Sequence, residues 1–313
     1  MASVVLTMAR LVLGRRGGDG MTPDERAYYV SHSKISDPGA RARLFDGMPS
    51  DPDRLITAVS GVVLHRLFVE PLGITPHPAS GDDVESRTMQ MILERVVSRD
   101  ASPLDVARRP EQRFIGICRD YTLMACAALR HHGVPARARV GFANYFTPEF
   151  NEDHWVCEYH ADERWRLLDP ELSPRVREYF RIGFPPSDVP RSAFLTGGDA
   201  WLRVRRGAID PATCGVSSAG IHGAWFVAGN VVRDLAALNK REMLAWDSWG
   251  IMRECRPGTP IPEAAAVRLD AAAALTASTE PDWKTLRESY EGDDAFRVPS
   301  VVMSKGAPVA VDV

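Results

Sequence analysis

The chain has 313 residues, of which 45% are hydrophobic, and this is enough for a core of normal size. Its 38 basic and 41 acidic residues give a net charge of −3, so the basic excess typical of nucleic-acid-binding proteins is missing. No stretch reaches the roughly 18 apolar residues of a membrane span, and five irregularly spaced cysteines predict no disulfide framework or zinc site. We therefore expect a cytoplasmic protein with reduced thiols, and the sequence implies no metal or cofactor.

The first third of the chain is predicted to be helical. Residues 1–20 end in a glycine-rich run and predict a flexible lead, and residues 21–100 form the N-terminal helical region. A Thr-Pro-Asp-Glu start predicts a helix over 22–29, and apolar residues at helical spacing predict two more over 55–69 and 83–97.

The sequence around Cys118 predicts a helix that begins near this cysteine. Gly116 comes just before this cysteine, and the stretch Tyr121 to Leu129 predicts a helix that stops at Gly133. Cys118 is therefore placed at or near a helix N-terminus, where the helix dipole favours a negative charge. We expect this position, together with a neighbouring imidazolium, to lower the pKa of the thiol and to make it nucleophilic.

Two strands bring a histidine and a carboxylate together. His154–His160 and Trp165–Asp169 are predicted to form a hairpin in which His160 lies opposite Trp165. In that register Asp169 is a diagonal neighbour of His154, about 7 to 8 Å away between backbones and within side-chain reach. Asp169 would then orient the imidazole while His154 faces Cys118. His160 lies farther from Asp169 and is the weaker candidate base.

The strand before this hairpin alternates apolar and basic residues. Val134–Tyr145 predicts a strand with one buried face, and Arg137 and Arg139 are assigned to its solvated face in preference to binding an acidic substrate group. The stretch Phe142–Asp153 is predicted to be a loop beside the cleft.

These motifs together resemble the core of the transglutaminase-like superfamily over about 60 of the 313 residues. The resemblance implies an α+β fold of the papain-like type, with a nucleophile-bearing helix packed on an antiparallel β-sheet and helical additions at both ends. It also implies that Cys118 is the nucleophile, His154 the base and Asp169 the orienting group. The residues that carry the resemblance are Gly116-Ile-Cys-Arg-Asp-Tyr121, Leu129-Arg-His-His-Gly-Val-Pro-Ala-Arg137, Asp153-His-Trp155 and Trp165-Arg-Leu-Leu-Asp-Pro170.

Other residues are candidates for substrate contacts. Gln112 stands six residues before Cys118, the separation at which papain-type enzymes carry an oxyanion-hole glutamine, although a solvated polar residue is an equally good reading. Four tryptophans are candidates for apolar contacts with the substrate, although they could instead pack in a helical layer. They are Trp155, Trp225, Trp246 and Trp249.

The predicted organisation has five parts. The lead and the N-terminal region are followed by the catalytic core over 101–190, a family-specific extension or cap over 191–256 and a tail region over 257–313. The tail is predicted to hold helices over 262–277 and 282–290 and a frayed end from Gly306.

Three functions remain open at this stage. The first is acyl transfer, in which a peptide amide or thioester acylates Cys118 and an amine accepts the acyl group. The second is hydrolysis by the same triad, with water as acceptor, as in a peptidase, amidase or thioester hydrolase. The third is a degenerate fold that only binds a peptide or protein. We expect no nucleic acid and no membrane among the partners.

Overall fold

The computed structural model describes residues 20–312, so the predicted lead lies, apart from Gly20, outside the described residues. The α-helices are α1 Pro23–Val30, α2 Pro52–Val62, α3 Arg66–Val69, α4 Met89–Arg99, α5 Cys118–His131, α6 Pro174–Phe180, α7 Gly197–Arg205, α8 Ala224–Leu238, α9 Glu263–Thr276 and α10 Trp283–Glu291. The strands are β1 Val63–His65, β2 Phe114–Gly116, β3 Ala136–Thr147, β4 Phe150–Ala161, β5 Arg164–Leu168, β6 Phe194–Thr196, β7 Cys214–Val216, β8 Ile221–His222, β9 Asp247–Ser248, β10 Val301–Ser304 and β11 Ala307–Ala310. Short 3₁₀ turns occupy Gly39–Phe45, Pro78–Ser80, Asp83–Glu85, Pro110–Gln112, Pro211–Thr213, Ser217–Ala219 and Gly250–Arg253.

Side-chain caps set where the first helices begin. The Thr22 hydroxyl accepts the backbone N–H of Glu25, and the Asp51 carboxylate accepts that of Arg54 at 3.0 Å. The helix predicted over 55–69 ends earlier, at Val62, because the next three residues form β1 and pair in parallel with β2. That pairing partner is about 50 residues downstream, so helical periodicity could not reveal it.

The main sheet is built around β4. On one side β4 pairs antiparallel with β3, which pairs with β6; on the other it pairs antiparallel with β5 and, nearer its start, in parallel with β7. Strands β3 and β4 run through most of the stretch 142–153 that was predicted to be a loop. Continued cross-strand pairing therefore carries the hairpin out beyond His154.

Helix α5 packs against β3 and β4 and is buried along almost its whole length. The Sγ atoms of Cys126 on α5 and Cys157 on β4 lie 3.4 Å apart in this interface, and both residues are fully buried as reduced thiols. The predicted α+β fold, with the Cys118 helix packed on a largely antiparallel sheet, is confirmed.

The basic face of β3 is buried, so its assignment to solvent is wrong. Arg137 and Arg139 are 0% exposed and both donate to the Glu158 carboxylate. Arg139 also makes a paired contact, at 3.0 and 2.9 Å, with Asp234 of α8, which covers this face. Buried arginines of this kind are retained only where carboxylates pair with them, and here the partner on α8 comes 95 residues later.

The C-terminal residues join the same core. Helix α9 packs on α7 and α8, and Trp249 donates to the Phe296 carbonyl at 2.9 Å. The end from Gly306 is not frayed, because β11 pairs with β10. One cluster of buried apolar side chains runs from Ile35 to Val302. The five-part division of the chain stays a prediction.

Candidate active site

Cys118 is the first residue of α5, as predicted. Ile117 has an extended backbone, with φ −126° and ψ 176°, and its N–H donates at 2.9 Å to the Asp120 carboxylate one turn into the helix. The Asp120 N–H in turn donates to the Ile117 carbonyl at 2.9 Å, and these two bonds fix where α5 begins. A Cβ at position 116 would lie 3.0 Å from Oδ2 of Asp120, so glycine suits the residue before the cap.

The hairpin has the predicted register, with His160 opposite Trp165 and Cys157 opposite Leu168. As a result, His154 Nε2 and Asp169 Oδ2 are 2.8 Å apart, and both residues are at most 2% exposed. His154 is also near Cys118, and each of the two side chains shifts the pKa of the other. The three side chains are thus neighbours, and their catalytic roles stay a prediction.

Burial and charge oppose each other at Cys118 and His154. Burial raises the pKa of the Cys118 thiol to about 11, and the hydrogen bond and charge of His154 lower it by less. Burial also disfavours the imidazolium, but Asp169 and Cys118 outweigh this and raise the pKa of His154 well above its usual range. The expectation of a lowered thiol pKa is therefore corrected for the free protein, because Cys118 is only 8% exposed.

Tyr145 is a member of this site that the sequence did not reveal. Its hydroxyl donates to Asp169 Oδ2 at 2.6 Å, and the backbone N–H of Glu171 donates to Oδ1 of the same carboxylate at 3.0 Å. Asp169 is thus held from both oxygens and cannot turn away from His154. Extending the alternation of β3 past Phe142 would have placed Tyr145 beside the site, but that stretch reads as a loop from sequence.

Two further buried groups adjoin the triad. Glu171 is 5% exposed, and its Oε2 has no hydrogen-bond partner among the described residues. Burial, with the charge of Asp169 adding to it and that of His154 opposing, raises the pKa of this carboxyl to about 8. His65 at the end of β1 is 9% exposed, and burial followed by the charge of His154 lowers its pKa to about 3. Glu171 follows Asp169 within two residues, so proximity in sequence was its one available signal.

Gln112 ends a 3₁₀ turn that leads into β2. Its side chain is partly buried, and its Oε1 has no hydrogen-bond partner among residues 20–312. Its role in an oxyanion hole stays a prediction.

The four tryptophan candidates fall into two groups. Trp155 and Trp249 are 1% exposed and belong to the large apolar cluster, so packing accounts for their burial. Trp225 is partly exposed and donates to the His222 carbonyl at 3.0 Å, and the partly exposed Trp246 has the Lys305 ammonium 4.6 Å from its ring centre. Contact with a substrate stays a prediction for all four.

No three His, Cys, Asp or Glu side chains within residues 20–312 are grouped as metal ligands. Over those residues, no helix combines the length and the apolar character needed to cross a bilayer.

Residues 83–170 match the transglutaminase-like superfamily. This segment is a transglutaminase-like core. It contains α5 and the β3–β5 hairpins, and therefore Cys118, His154 and Asp169. The resemblance inferred from the sequence is confirmed, and the match of this segment to a superfamily of cysteine-dependent enzymes supports an enzyme of that general class.

The other comparisons add little to the transglutaminase-like match. A crystal structure at 1.9 Å of a Cytophaga hutchinsonii protein, provisionally described as a cysteine protease, is 14% identical to this chain, with a TM-score of 0.32. The match covers 56% of this chain and 46% of that protein, so the chain spans less than half of that protein's length. No curated protein matches the chain.

Proposed function

We propose that this protein is a cysteine acyltransferase that forms a thioacyl intermediate on Cys118 and passes the acyl group to an amine. One observation carries the proposal. His154 is hydrogen-bonded to Asp169, with 2.8 Å between Nε2 and Oδ2, and it lies close enough to Cys118 to lower the pKa of that thiol. Such an arrangement can move one proton between a sulfur nucleophile and a leaving group while the carboxylate fixes the imidazole.

As thiol and imidazolium, Cys118 and His154 share two ionisable protons, and the reaction requires that one of them is lost first. Loss of that proton leaves the Cys118 thiolate beside the His154 imidazolium. The thiolate attacks the carbonyl carbon of an amide or thioester, and His154 protonates the departing amine or thiol, which leaves a thioester on Cys118. An incoming amine then gives a proton to His154 and displaces the thiolate, and a new amide bond forms.

The burial of the reacting groups favours an amine over water as the acceptor. Cys118 is 8% exposed and His154 is 2% exposed, so water has restricted access to the thioester. Hydrolysis by the same three residues is the competing outcome, and it differs only in the second step.

The test compares products with and without an amine. Peptide amides and acyl thioesters are incubated with the protein, with or without a primary amine, and the products are identified by mass. We expect an acyl adduct on the Cys118 peptide and, when the amine is present, a new amide. Cys118→Ala should abolish both, and His154→Ala should reduce the rate by at least about 10³-fold.

Cys126→Ala is the matched control, since it removes a core thiol that is paired with Cys157 and keeps the triad intact. Acid formation at the same rate with and without the amine would replace transfer by hydrolysis. Failure to acylate Cys118 with any donor would leave a binding role as the better explanation.

A further inference from the structure

A chain of aromatic rings leads from the candidate base to the protein surface. The Phe146 ring lies 5.0 Å from that of His154 and 5.0 Å from that of Phe180, centre to centre, at interplanar angles of 75° and 78°. Phe180 in turn contacts Tyr179 at 4.9 Å and Phe68 at 6.3 Å. We call Phe68, Phe146, Tyr179 and Phe180 the aromatic rim. The contacts of Phe146 with His154 and Phe180 are edge-to-face, a favourable arrangement for aromatic rings, and the Phe68 ring is tilted by 53° to that of Phe180.

The outer part of the aromatic rim faces solvent. Tyr179 is 74% exposed, and Leu67, next to Phe68, is 50% exposed. The helices that carry them, α3 and α6, have no fully buried residue. Large apolar side chains gathered on two helices that bury so little of themselves are typical of a surface that binds something apolar.

The residues of the aromatic rim lie close in sequence to residues of the candidate active site. Helix α3 follows His65, whose pKa the charge of His154 lowers, and α6 begins shortly after Asp169 and Glu171. Phe146 stands on β3 next to Tyr145, which binds Asp169. A group resting on these rings would therefore belong to a molecule whose reacting atom is at Cys118.

The charged side chains around α6 indicate which charge a bound substrate group should carry. Arg175 and Arg181 are exposed beside Tyr179, and neither has a carboxylate partner among the described residues. The exposed Glu178 is the acidic side chain within α6 itself. An aromatic group that carries a neutral or negatively charged neighbour suits this surface better than one that carries a cation.

We propose that the aromatic rim is a subsite for an aromatic side chain on the acyl donor, next to the carbonyl that Cys118 attacks. The proposal rests on the proposed function, since it takes Cys118 as the group that is acylated. It names the substrate class as acyl groups of aromatic amino acids or similar aryl acids, with neutral or acidic flanks.

Two matched alkylating probes separate this subsite from the chemistry. N-acetylphenylalanine chloromethyl ketone and N-acetylalanine chloromethyl ketone carry the same ketone and the same reactive carbon and differ by a phenyl ring on the acyl side. In both, the Cys118 sulfur bonds to the CH₂ carbon as chloride leaves, so the ketone carbonyl stands in for the acyl carbonyl. Labelling of the Cys118 peptide is followed by mass at pH 8.5. We expect the phenylalanine probe to react about tenfold faster in the full chain.

Substitutions in the aromatic rim should remove this preference. Tyr179→Ser changes an exposed side chain, and Phe180→Ala removes the ring that joins Tyr179 to Phe146; each should bring the rate ratio of the two probes close to one. Val267→Ser is the control, because Val267 is 55% exposed on α9 and should leave both rates unchanged. Tyr179→Ser keeps the test decisive even if Phe180→Ala does not fold.

Each remaining outcome counts against the subsite. Equal rates for the two probes in the unaltered chain would overturn it while leaving Cys118 reactive and the proposed function intact. A preference that survives both substitutions would place the aromatic group elsewhere. No labelling by either probe would remove the proposed function and the subsite together. Equal rates combined with a dimer that Tyr179→Ser dissociates would make the aromatic rim a contact between copies of the chain.

Discussion

His154 opposes burial at two neighbouring groups, because burial raises the pKa values of Cys118 and Glu171 and the nearby His154 lowers both. Because burial of Cys118 outweighs the help from His154 and leaves the thiol pKa at about 11, the thiolate is scarce at neutral pH. We predict that alkylation of Cys118 by iodoacetamide accelerates by about tenfold per pH unit between pH 7 and 10. His154→Ala removes the contribution that lowers this pKa, so it should slow the reaction at each pH in that range.

Peptide mass spectrometry measures both rates, with Cys126 and Cys157 as internal controls, since they are 0% exposed and should stay unlabelled in the folded protein. A rate that is already maximal below pH 7 would show that the helix N-terminus and imidazolium prevail over burial.

The ionisation of Glu171 should make the free energy of unfolding depend on pH. Its pKa in the folded protein, about 8, is above the ordinary value of 4.5 because the carboxyl is buried. Between these values the folded state holds a proton that the unfolded state has lost. The free energy of unfolding should therefore fall as pH rises from 5 to 8, by about 1.4 kcal/mol per pH unit from this group.

Glu171→Gln keeps the shape and removes the titration, so we predict a flatter stability profile over that range, measured by urea unfolding. Glu178→Gln is a suitable control because Glu178 is exposed on α6. Equal slopes for the unaltered chain and Glu171→Gln would show that the buried carboxyl does not retain its proton.

The residues of the site differ in how far the sequence predicts them. His154 and Asp169 lie 15 residues apart in one hairpin, so strand pairing alone gave their contact. Tyr145 was missed because the stretch after Phe142 was predicted to be a loop, whereas β3 continues to Thr147. The thiol pKa depends on burial by the whole fold, which a local sequence window does not contain.

At the scale of elements, the sheet is held to α8 by a buried ion pair. Asp234 accepts from the Arg139 side chain and, at 2.8 Å, from the Val140 backbone N–H. We predict that Asp234→Ala destabilises the protein by about 3 to 5 kcal/mol, because it leaves the Arg139 charge buried with one carboxylate fewer. Chemical denaturation gives the change in free energy.

Arg203→Ala provides the comparison for Asp234→Ala. It removes an ion pair with Asp199 in which both side chains are about one-third exposed, and it should cost no more than about 0.5 kcal/mol. Similar costs for the two substitutions would mean that the buried pair contributes no more than a surface one.

The sequence separation between an element and its partners also decided whether that element could be predicted. Helices α1 and α10 begin at the local side-chain caps Thr22 and Asp282, and they and the alanine-rich α9 lie close to their predicted bounds. Strand β1 depends on β2, and the burial of Arg139 depends on Asp234, so both require partners far away in sequence.

At the scale of the whole molecule, residues after 256 complete the core that surrounds the site. The Thr276 carbonyl accepts from Arg139 and, at 3.3 Å, from Thr196, and α9 covers α7 and α8. We predict that a chain ending at residue 256 loses its cooperative thermal transition and binds a hydrophobic dye, because the apolar faces of α7 and α8 are exposed.

The full-length Val267→Ser protein should keep its transition and serves as the control. An unchanged transition in the shortened chain would make the tail dispensable. Deletion of residues 191–255 would remove most of the predicted cap and also the buried helix α8, so a loss of substrate selectivity could result from unfolding alone. Single substitutions in the aromatic rim avoid this problem.

The partners of Arg139 also bear on how the protein is made. Its carboxylate on α8 is synthesised 95 residues after it, and its carbonyl partner Thr276 is synthesised 137 residues after it. On the ribosome, β3 therefore emerges long before the groups that allow its guanidinium to be buried. Both partners are present only when most of the polypeptide has been synthesised, so we expect the sheet that holds His154 to reach its final packing late in synthesis.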